Sequence, residues 1–207
     1  MSQVLEEPLV LGPQSAGILM TPEEFDAVED YDECYRYELI HGVLVVNPIP
    51  LPEETGPNEL LAYLLIKYRE EHPQGTALDY TLPQQYVRTA TSRRLADRLI
   101  WTGLGRLPDV RTDLPTIAVE LVSAGRSNRQ RDYVDKRRDS LAVGIKEYWI
   151  IDRFQRKLTV VRQAEPEPTE QVVAENDTYR PPLLPGFELP LAPLLAAADR
   201  LAEAMEG

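Results

Sequence analysis

One seven-residue segment constrains the fold more than any other feature of the chain. Thr116–Val122 reads TIAVELV, and its apolar residues fall on both alternating faces. Such a strand is typical of the centre of a sheet that is covered on both sides. An unpaired charge there would cost several kcal/mol, so Glu120 requires a compensating partner. A bound metal ion is the first candidate for that partner.

Length and pattern predict a single α/β domain. The chain has 207 residues, 43% of them hydrophobic, enough for one domain with a sizeable core. We expect an N-terminal arm over residues 1–20 and one domain over 21–207, a mixed β-sheet flanked by helices. The single cysteine excludes a cysteine-based zinc site. No apolar run reaches the roughly 18 residues of a membrane span, so we expect a cytoplasmic protein.

The charge is distributed unevenly along the chain. The formal net charge of −12 argues against a nucleic-acid partner. Residues 88–138, however, carry twelve basic and six acidic side chains, while both flanking regions are acidic. This segment is either a solvated basic surface or a local phosphate-binding patch.

The chain carries clear signals for several elements. They predict strands at Tyr35–Ile40 and Val43–Asn47, a helix at Asn58–Glu71, a hairpin of Glu147–Asp152 with Lys157–Arg162, and a last helix from about Pro193 to Met205. The segment Ala90–Leu107 has no assignment beyond a loop or an irregular strand.

Asp109 is the first candidate to accompany Glu120. A turn at Thr112–Pro115 separates them, and a hairpin centred on residues 114 and 115 would place them opposite each other. Opposite Cβ atoms lie about 5 Å apart, and two such carboxylates repel unless a proton or cation lies between them. Mg²⁺, ahead of Ca²⁺, would satisfy the pair. A one-residue shift would separate them, and the alternative is that Asp109 begins a turn while Glu120 pairs with an arginine.

A helix downstream supplies a candidate cation. Residues 127–130 (SNRQ) fit a capping box that would open a helix to about Val143. On it Lys136 shares a stripe with Asp132, Tyr133 and Ser140. Its long stem could carry the ammonium group inward, where a cation beside two metal-bound carboxylates can orient a water or stabilise developing phosphate charge. The alternative is an ordinary surface lysine.

An ordered set of motifs resembles the Uma-two family, whose members are restriction-endonuclease-like proteins of the PD-(D/E)XK nuclease superfamily. The set comprises PD at 108–109, an acid eleven residues later, DYVDK, GIKEYWIID, the upstream YELIHGVLVV and the C-terminal LLPGFELPLAPLL. The resemblance covers most of the range from Thr21 to about Leu195. It implies a restriction-endonuclease-like fold and hydrolysis of DNA phosphodiester bonds with Mg²⁺ or Mn²⁺.

The resemblance also implies roles for particular residues. It makes Asp109 and Glu120 metal ligands together with the carbonyl of Leu121, Glu38 an auxiliary acid, and Lys136 the catalytic lysine. The arginines of the basic segment would hold the DNA backbone, and they include Arg126, Arg129, Arg131 and Arg137. The chain departs from the usual pattern in a short interval between the acids, in Val122 where the superfamily lysine normally stands, and in Ser140 where a tyrosine is commoner.

Two other functions remain open at this level. A non-catalytic module on the same fold, binding nucleic acid or protein, would suit the net charge and the missing lysine at Val122. A close carboxylate pair would also suit glycoside hydrolysis, although no set of exposed tryptophans suggests a sugar groove. A nuclease that cuts both strands would suit a homodimer.

Overall fold

The computed structural model describes residues 10–123 and 131–206, and these residues form two compact units. Unit 1 comprises residues 10–49 and 88–95, and unit 2 comprises residues 50–87 and 96–206 outside the gap. None of the helices in the described ranges is long and apolar enough to cross a membrane.

Unit 1 is built on a tight hairpin. Its elements are β1 (Val10–Leu11), α1 (Pro22–Asp26), β2 (Asp30–Tyr31), β3 (Tyr35–Ile40) and β4 (Val43–Pro48). The turn between β3 and β4 has positive φ at His41 (49°) and Gly42 (80°), which suits a two-residue hairpin connection. The predicted hairpin is therefore confirmed.

Two side-chain arrangements fix α1 within unit 1. Thr21 and Glu24 form a reciprocal capping box, in which each side chain accepts a hydrogen bond from the other residue's backbone N–H. Asp26, at the end of the helix, accepts hydrogen bonds from the guanidinium groups of Arg88 and Arg93. Partial burial raises the pKa of the Asp26 carboxyl, but the hydrogen bonds and charges of Arg93 and Arg88 together outweigh it, so the pKa is lowered. The arginines thereby bind α1 to residues 88–95.

Unit 2 holds most of the regular structure. Its elements, of which β5 and β6 share residues with unit 1, are α2 (Pro52–Glu71), β5 (Leu78–Arg88), β6 (Arg93–Thr102), β7 (Ile117–Leu121), a π-helical turn (Arg131–Asp135), α3 (Lys136–Ala142), β8 (Glu147–Asp152), β9 (Lys157–Arg162), β10 (Thr169–Ala174), β11 (Thr178–Tyr179), β12 (Leu189–Pro190) and α4 (Leu191–Glu206).

The sheet of unit 2 has the strand order β10-β9-β8-β7-β6, with β5 also paired to β6. Strands β7 and β8 are parallel, whereas β6–β7, β8–β9 and β9–β10 are antiparallel. The predicted α/β class with a mixed sheet flanked by helices is thus confirmed.

Strand β7 lies at the centre of this sheet, and all five of its residues are buried. Ile117, Val119 and Leu121 belong to the core cluster that also contains residues of α2 and α4. Ala118 belongs to the cluster on the other face, against which Tyr133, Leu141 and Val143 pack. Glu120, two residues after Ala118, therefore faces the side of α3.

One predicted boundary was wrong, and the segment without an assignment contains a strand. Helix α2 begins at Pro52 and contains Pro57, whereas the sequence predicted a helix that begins at Asn58. The segment Ala90–Leu107 contains β6, a ten-residue strand. The predicted helix that opens at residues 127–130 begins outside the described residues, and its described part is a π-helical turn followed by α3.

Candidate functional site

Glu120 is buried beside a lysine. Its side chain is 4% exposed, and its Oε2 accepts a hydrogen bond of 2.8 Å from the Nζ of Lys136, whose side chain is 6% exposed. A buried charge persists only where it is paired and hydrogen-bonded. The compensating partner that the sequence required is therefore present as a cationic side chain.

The segment before α3 places Lys136 on the side of Glu120. Within this segment Tyr133 donates a hydrogen bond of 3.1 Å to Oδ2 of Asp152, at the end of β8. The other carboxyl oxygen of Asp152 accepts from the backbone N–H groups of Phe154 and Gln155, both at 2.9 Å. Because Asp152 is fully buried, it connects the helical segment to a rigid strand end.

The predicted register between Asp109 and Glu120 is wrong. Strands β6 and β7 pair Arg98 with Val119, Leu99 with Ala118 and Ile100 with Ile117. Continued by one position, this register places Asp97 opposite Glu120, where side chains share a face of the sheet. The Oδ2 of Asp97 also accepts a hydrogen bond of 2.7 Å from the backbone N–H of Leu121. Asp97 is therefore the acid that the fold brings to Glu120.

Asp109 lies in the exposed connection between β6 and β7. Its Oδ1 accepts from the N–H of Arg111 at 2.9 Å, and its own N–H donates to Asp113 at 2.7 Å. Asp113 in turn binds Arg106, which holds the pKa of the Asp113 carboxyl at about 2. The connection spans more residues than a tight hairpin turn, so Asp109 folds into its own turn instead of facing Glu120.

A buried polar cluster on the opposite face of the sheet supports Asp97. Asn58 of α2, 4% exposed, donates to the carbonyl of Asp97 at 2.8 Å and accepts from the Nε of Arg98 at 2.7 Å. Arg98 also donates to the hydroxyl of Thr81 and to the carbonyl of Asn58. Burial lowers the pKa of the Arg98 guanidinium, and the charge of Glu59 opposes that shift. This cluster holds the backbone at Asp97 in place.

Glu38 belongs to unit 1. It is 2% exposed, and its Oε1 accepts a hydrogen bond of 2.9 Å from the N–H of Leu95. Its Oε2 accepts a hydrogen bond of 3.3 Å from the side-chain amide of Asn47. Glu38 is therefore a buried and hydrogen-bonded strand carboxylate, and its role as an auxiliary acid stays a prediction.

The predicted DNA-binding arginines fall mostly outside what the structure describes. Arg126 and Arg129 lie in the gap, and Arg131 is described in its backbone only. Arg137 donates a hydrogen bond of 2.9 Å to Glu170 of β10. A patch formed by these four residues therefore stays a prediction.

The donor chemistry at Asp97 and Glu120 fits a hard divalent cation. Mg²⁺ binds to one or two protein carboxylates and keeps several waters, which matches two carboxylates supplemented by the carbonyl of Leu121. Within the described ranges, no group of three or more His, Cys, Asp and Glu side chains is arranged to hold a metal.

Asp97 was missed because it lies in the segment Ala90–Leu107, which had no assigned strand. A signal was nevertheless present. In a strand, alternate residues point to the same face of the sheet. Asp97 would therefore share a face with Leu95, Leu99 and Trp101, just as Glu120 shares a face with Ala118 and Val122. If this segment is paired with the strand of Glu120, both Asp97 and Asp109 become candidates for the acid opposite Glu120.

Comparisons with known proteins agree with this fold. The sequence model of the Uma2 family, described as "Putative restriction endonuclease", matches residues 22–192. The crystal structure of a protein described as a "putative nuclease", from Anabaena variabilis, is similar, with a TM-score of 0.68 and 16% sequence identity over 86% of this chain and 99% of that chain. Among curated proteins, no sequence matches this chain.

Proposed function

Because the chain belongs to the Uma2 family described as "Putative restriction endonuclease", we propose that it is a metal-dependent nuclease that hydrolyses DNA phosphodiester bonds. The observation that carries the proposal is the buried contact of Glu120 with Lys136, opposite Asp97 at the centre of the sheet. A fold does not establish an activity by itself. The site supports the proposal because it joins two acids and a cation that the core stabilises.

Asp97, Glu120 and the carbonyl of Leu121 are the groups that would hold Mg²⁺ or Mn²⁺. When bound, such an ion supplies Lewis-acid stabilisation of the charge that develops on the phosphate. The hydrogen bond between Asp97 and the N–H of Leu121 keeps one carboxyl oxygen beside the backbone that carries this carbonyl.

Lys136 is the proposed proton donor and water-positioning group. Its ammonium is a hydrogen-bond donor that Glu120 already orients, so it can align an attacking water or stabilise charge on a phosphate oxygen. In the hydrolysis, the water oxygen forms the new bond to phosphorus while the bond to the leaving oxygen breaks. One proton of the water is released and one proton is gained by the leaving oxygen.

Four variants test these assignments. Supercoiled plasmid and Mg²⁺ or Mn²⁺ are incubated with wild type and with the variants Asp97→Asn, Glu120→Gln, Lys136→Met and Asp109→Asn. We expect the first three to lose cleavage by a factor of about 10² or more, the scale of one catalytic group. Asp109→Asn is the matched control and should keep wild-type cleavage. Wild-type rates in Asp97→Asn and Glu120→Gln, with folding verified by thermal unfolding, would refute the proposal.

Calorimetry separates metal binding from catalysis. Mg²⁺ should release or absorb heat with wild type and with Asp109→Asn, and this heat should be lost in Asp97→Asn and Glu120→Gln. Equal heats in all four proteins would show that these acids do not hold the ion.

One observation favours a non-catalytic DNA-binding module instead. The position of the usual superfamily lysine holds Val122, which is 3% exposed and belongs to the core. This alternative predicts salt-sensitive DNA binding in EDTA and no product with any divalent metal. Cleavage that requires Glu120 would exclude it.

A further inference from the structure

Arg153 lies at the edge of the sheet where the strand of Glu120 ends. Strands β7 and β8 are parallel and pair Leu121 with Ile151, so Arg153 follows this pair by two residues. A small cavity of about 10 Å³, room for no more than one water, is lined in part by Arg153, Leu121, Val122 and Glu53. Arg153 therefore borders the backbone of Leu121 from the side of α2 and α4, at the strand end that carries the candidate site.

The guanidinium of Arg153 is only partly satisfied within the described structure. Its Nη2 lies 3.7 Å from Oε1 of Glu53, beyond hydrogen-bond distance, and its centre lies 4.6 Å from the ring centroid of Phe154. Its Nε is buried and has no acceptor among the described residues. The side chain retains 19% exposure, so part of it is accessible from solvent.

Arg156, three residues further along the same turn, differs sharply. It donates to Asp199 at 2.7 Å and also to the carboxylate of Glu175. These two acids raise the pKa of the Arg156 guanidinium. Of the two arginines in this turn, Arg156 is hydrogen-bonded to two carboxylates, whereas Arg153 forms an ion pair of 3.7 Å with one carboxylate and no hydrogen bond to it.

We propose that Arg153 binds a phosphate of the nucleic-acid strand beside the cleavage site. This inference rests on the nuclease function proposed above and names one of its substrate contacts. A guanidinium donates paired hydrogen bonds to a phosphate, and a phosphate would supply acceptors at a distance that Glu53 does not. Glu53 competes with the phosphate for this cation, so its removal should not weaken binding.

A purely structural role makes a different prediction. Arg153 could simply connect the first turn of α2, through Glu53, to the end of β8. In that case removal of either partner would have the same effect, because each would break the same contact. If Arg153 binds the substrate, removal of Arg153 should weaken DNA binding, whereas removal of Glu53 should not.

Fluorescence anisotropy of labelled DNA can distinguish these roles. A duplex of about 20 base pairs is titrated in EDTA over about 50 to 300 mM KCl with wild type, Arg153→Gln, Arg153→Lys and Glu53→Gln. Arg180→Gln is the matched control, since Arg180 is a surface arginine with a 66% exposed side chain that binds Glu188. Thermal unfolding of every variant is measured alongside.

Loss of one phosphate contact has a defined size. For Arg153→Gln we expect the plot of log K against log salt to become less steep by about 0.9. If the variant and wild type bind equally at 1 M salt, the variant binds about eightfold more weakly than wild type near 0.1 M salt. Arg153→Lys should keep the slope because it keeps the charge, and Glu53→Gln should bind at least as tightly as wild type. Arg180→Gln should match wild type.

Three results would overturn this inference. They are an unchanged slope in Arg153→Gln, equal weakening in Arg153→Gln and Glu53→Gln with a common loss of thermal stability, and absence of DNA binding by wild type. Wild-type DNA cleavage that depends on Glu120, combined with an unchanged slope in Arg153→Gln, would refute the role of Arg153 alone. A changed slope without any Glu120-dependent cleavage would refute the nuclease function alone.

Discussion

Substitution of Lys136 by methionine tests whether the core depends on its charge. The change leaves Glu120, 3% exposed, without the ammonium that now lies 2.8 Å from its Oε2. Removal of one partner of a buried ion pair costs about 3–5 kcal/mol. We expect the free energy of unfolding of Lys136→Met in EDTA at neutral pH to fall by about that amount, measured by urea denaturation.

A surface lysine provides the matched control. Lys67 and Glu71 lie 3.9 Å apart with side chains that are 50% and 68% exposed. Such a helical pair contributes about 0.3–0.5 kcal/mol, so Lys67→Met should change the free energy of unfolding by no more than this. Both substitutions remove one ammonium group from a helix, so the difference between their effects on the free energy of unfolding reports the effect of burial.

A divalent cation should partly reverse the loss. An ion that binds only the folded protein adds about 2.7 kcal/mol when its concentration is 100 times its dissociation constant. We therefore expect Mg²⁺ to stabilise Lys136→Met and to have no effect on the Glu120→Gln, Lys136→Met double variant. A loss below about 1 kcal/mol in EDTA would refute the reasoning, because it lies in the range of an exposed pair.

Two further substitutions test the surroundings of the site. Asn58→Ala should lower the free energy of unfolding by about 2–3 kcal/mol and weaken Mg²⁺ binding in calorimetry, because it removes an acceptor from buried Arg98 and a donor from the carbonyl of Asp97. Wild-type metal affinity in this variant would show that the Asn58 cluster does not position Asp97. For Asp113, the folded pKa of about 2 lies below its ordinary value of 3.8, so its stabilising contribution is present above about pH 4 and is lost as the pH falls towards 2. Between about pH 4 and pH 2, the free energy of unfolding measured by urea denaturation should fall less in Asp113→Asn than in wild type. Parallel pH dependences of the two proteins would contradict the assigned ion pair with Arg106.

The parts of the fold that the sequence predicted are those with a strong local period. Glu147–Asp152 and Lys157–Arg162 form β8 and β9 with the predicted bounds, because their apolar runs are short and turn residues separate them. Pro57 gave a misleading signal, since a proline favours a helix end but α2 continues through it. Helix α2 packs on α4, and this tertiary contact outweighs the local penalty.

Strand β6 shows why a candidate site is harder to predict than a core. Its residues include Arg93, Arg94 and Arg98, which local patterns place on a surface. All three are buried, and residues of other elements pair with two of them: Asp26 accepts hydrogen bonds from Arg93, and Asn58 accepts one from Arg98. These partners lie 40 or more residues away in the sequence. Without the strand, the register that brings Asp97 to Glu120 could not be derived.

The position of the lysine follows from the same geometry. Val122 shares the face of Ala118 and Glu120, so a lysine there would also have pointed towards α3. Core packing occupies that position with valine, and the ammonium reaches Glu120 from a helix sixteen residues further along the chain. A lysine on β7 would be fixed by the sheet itself, whereas Lys136 depends on the packing of α3, to which the bond between Tyr133 and Asp152 contributes. The helical segment therefore controls the geometry of the candidate site, although neither Tyr133 nor Asp152 is among its proposed ligands.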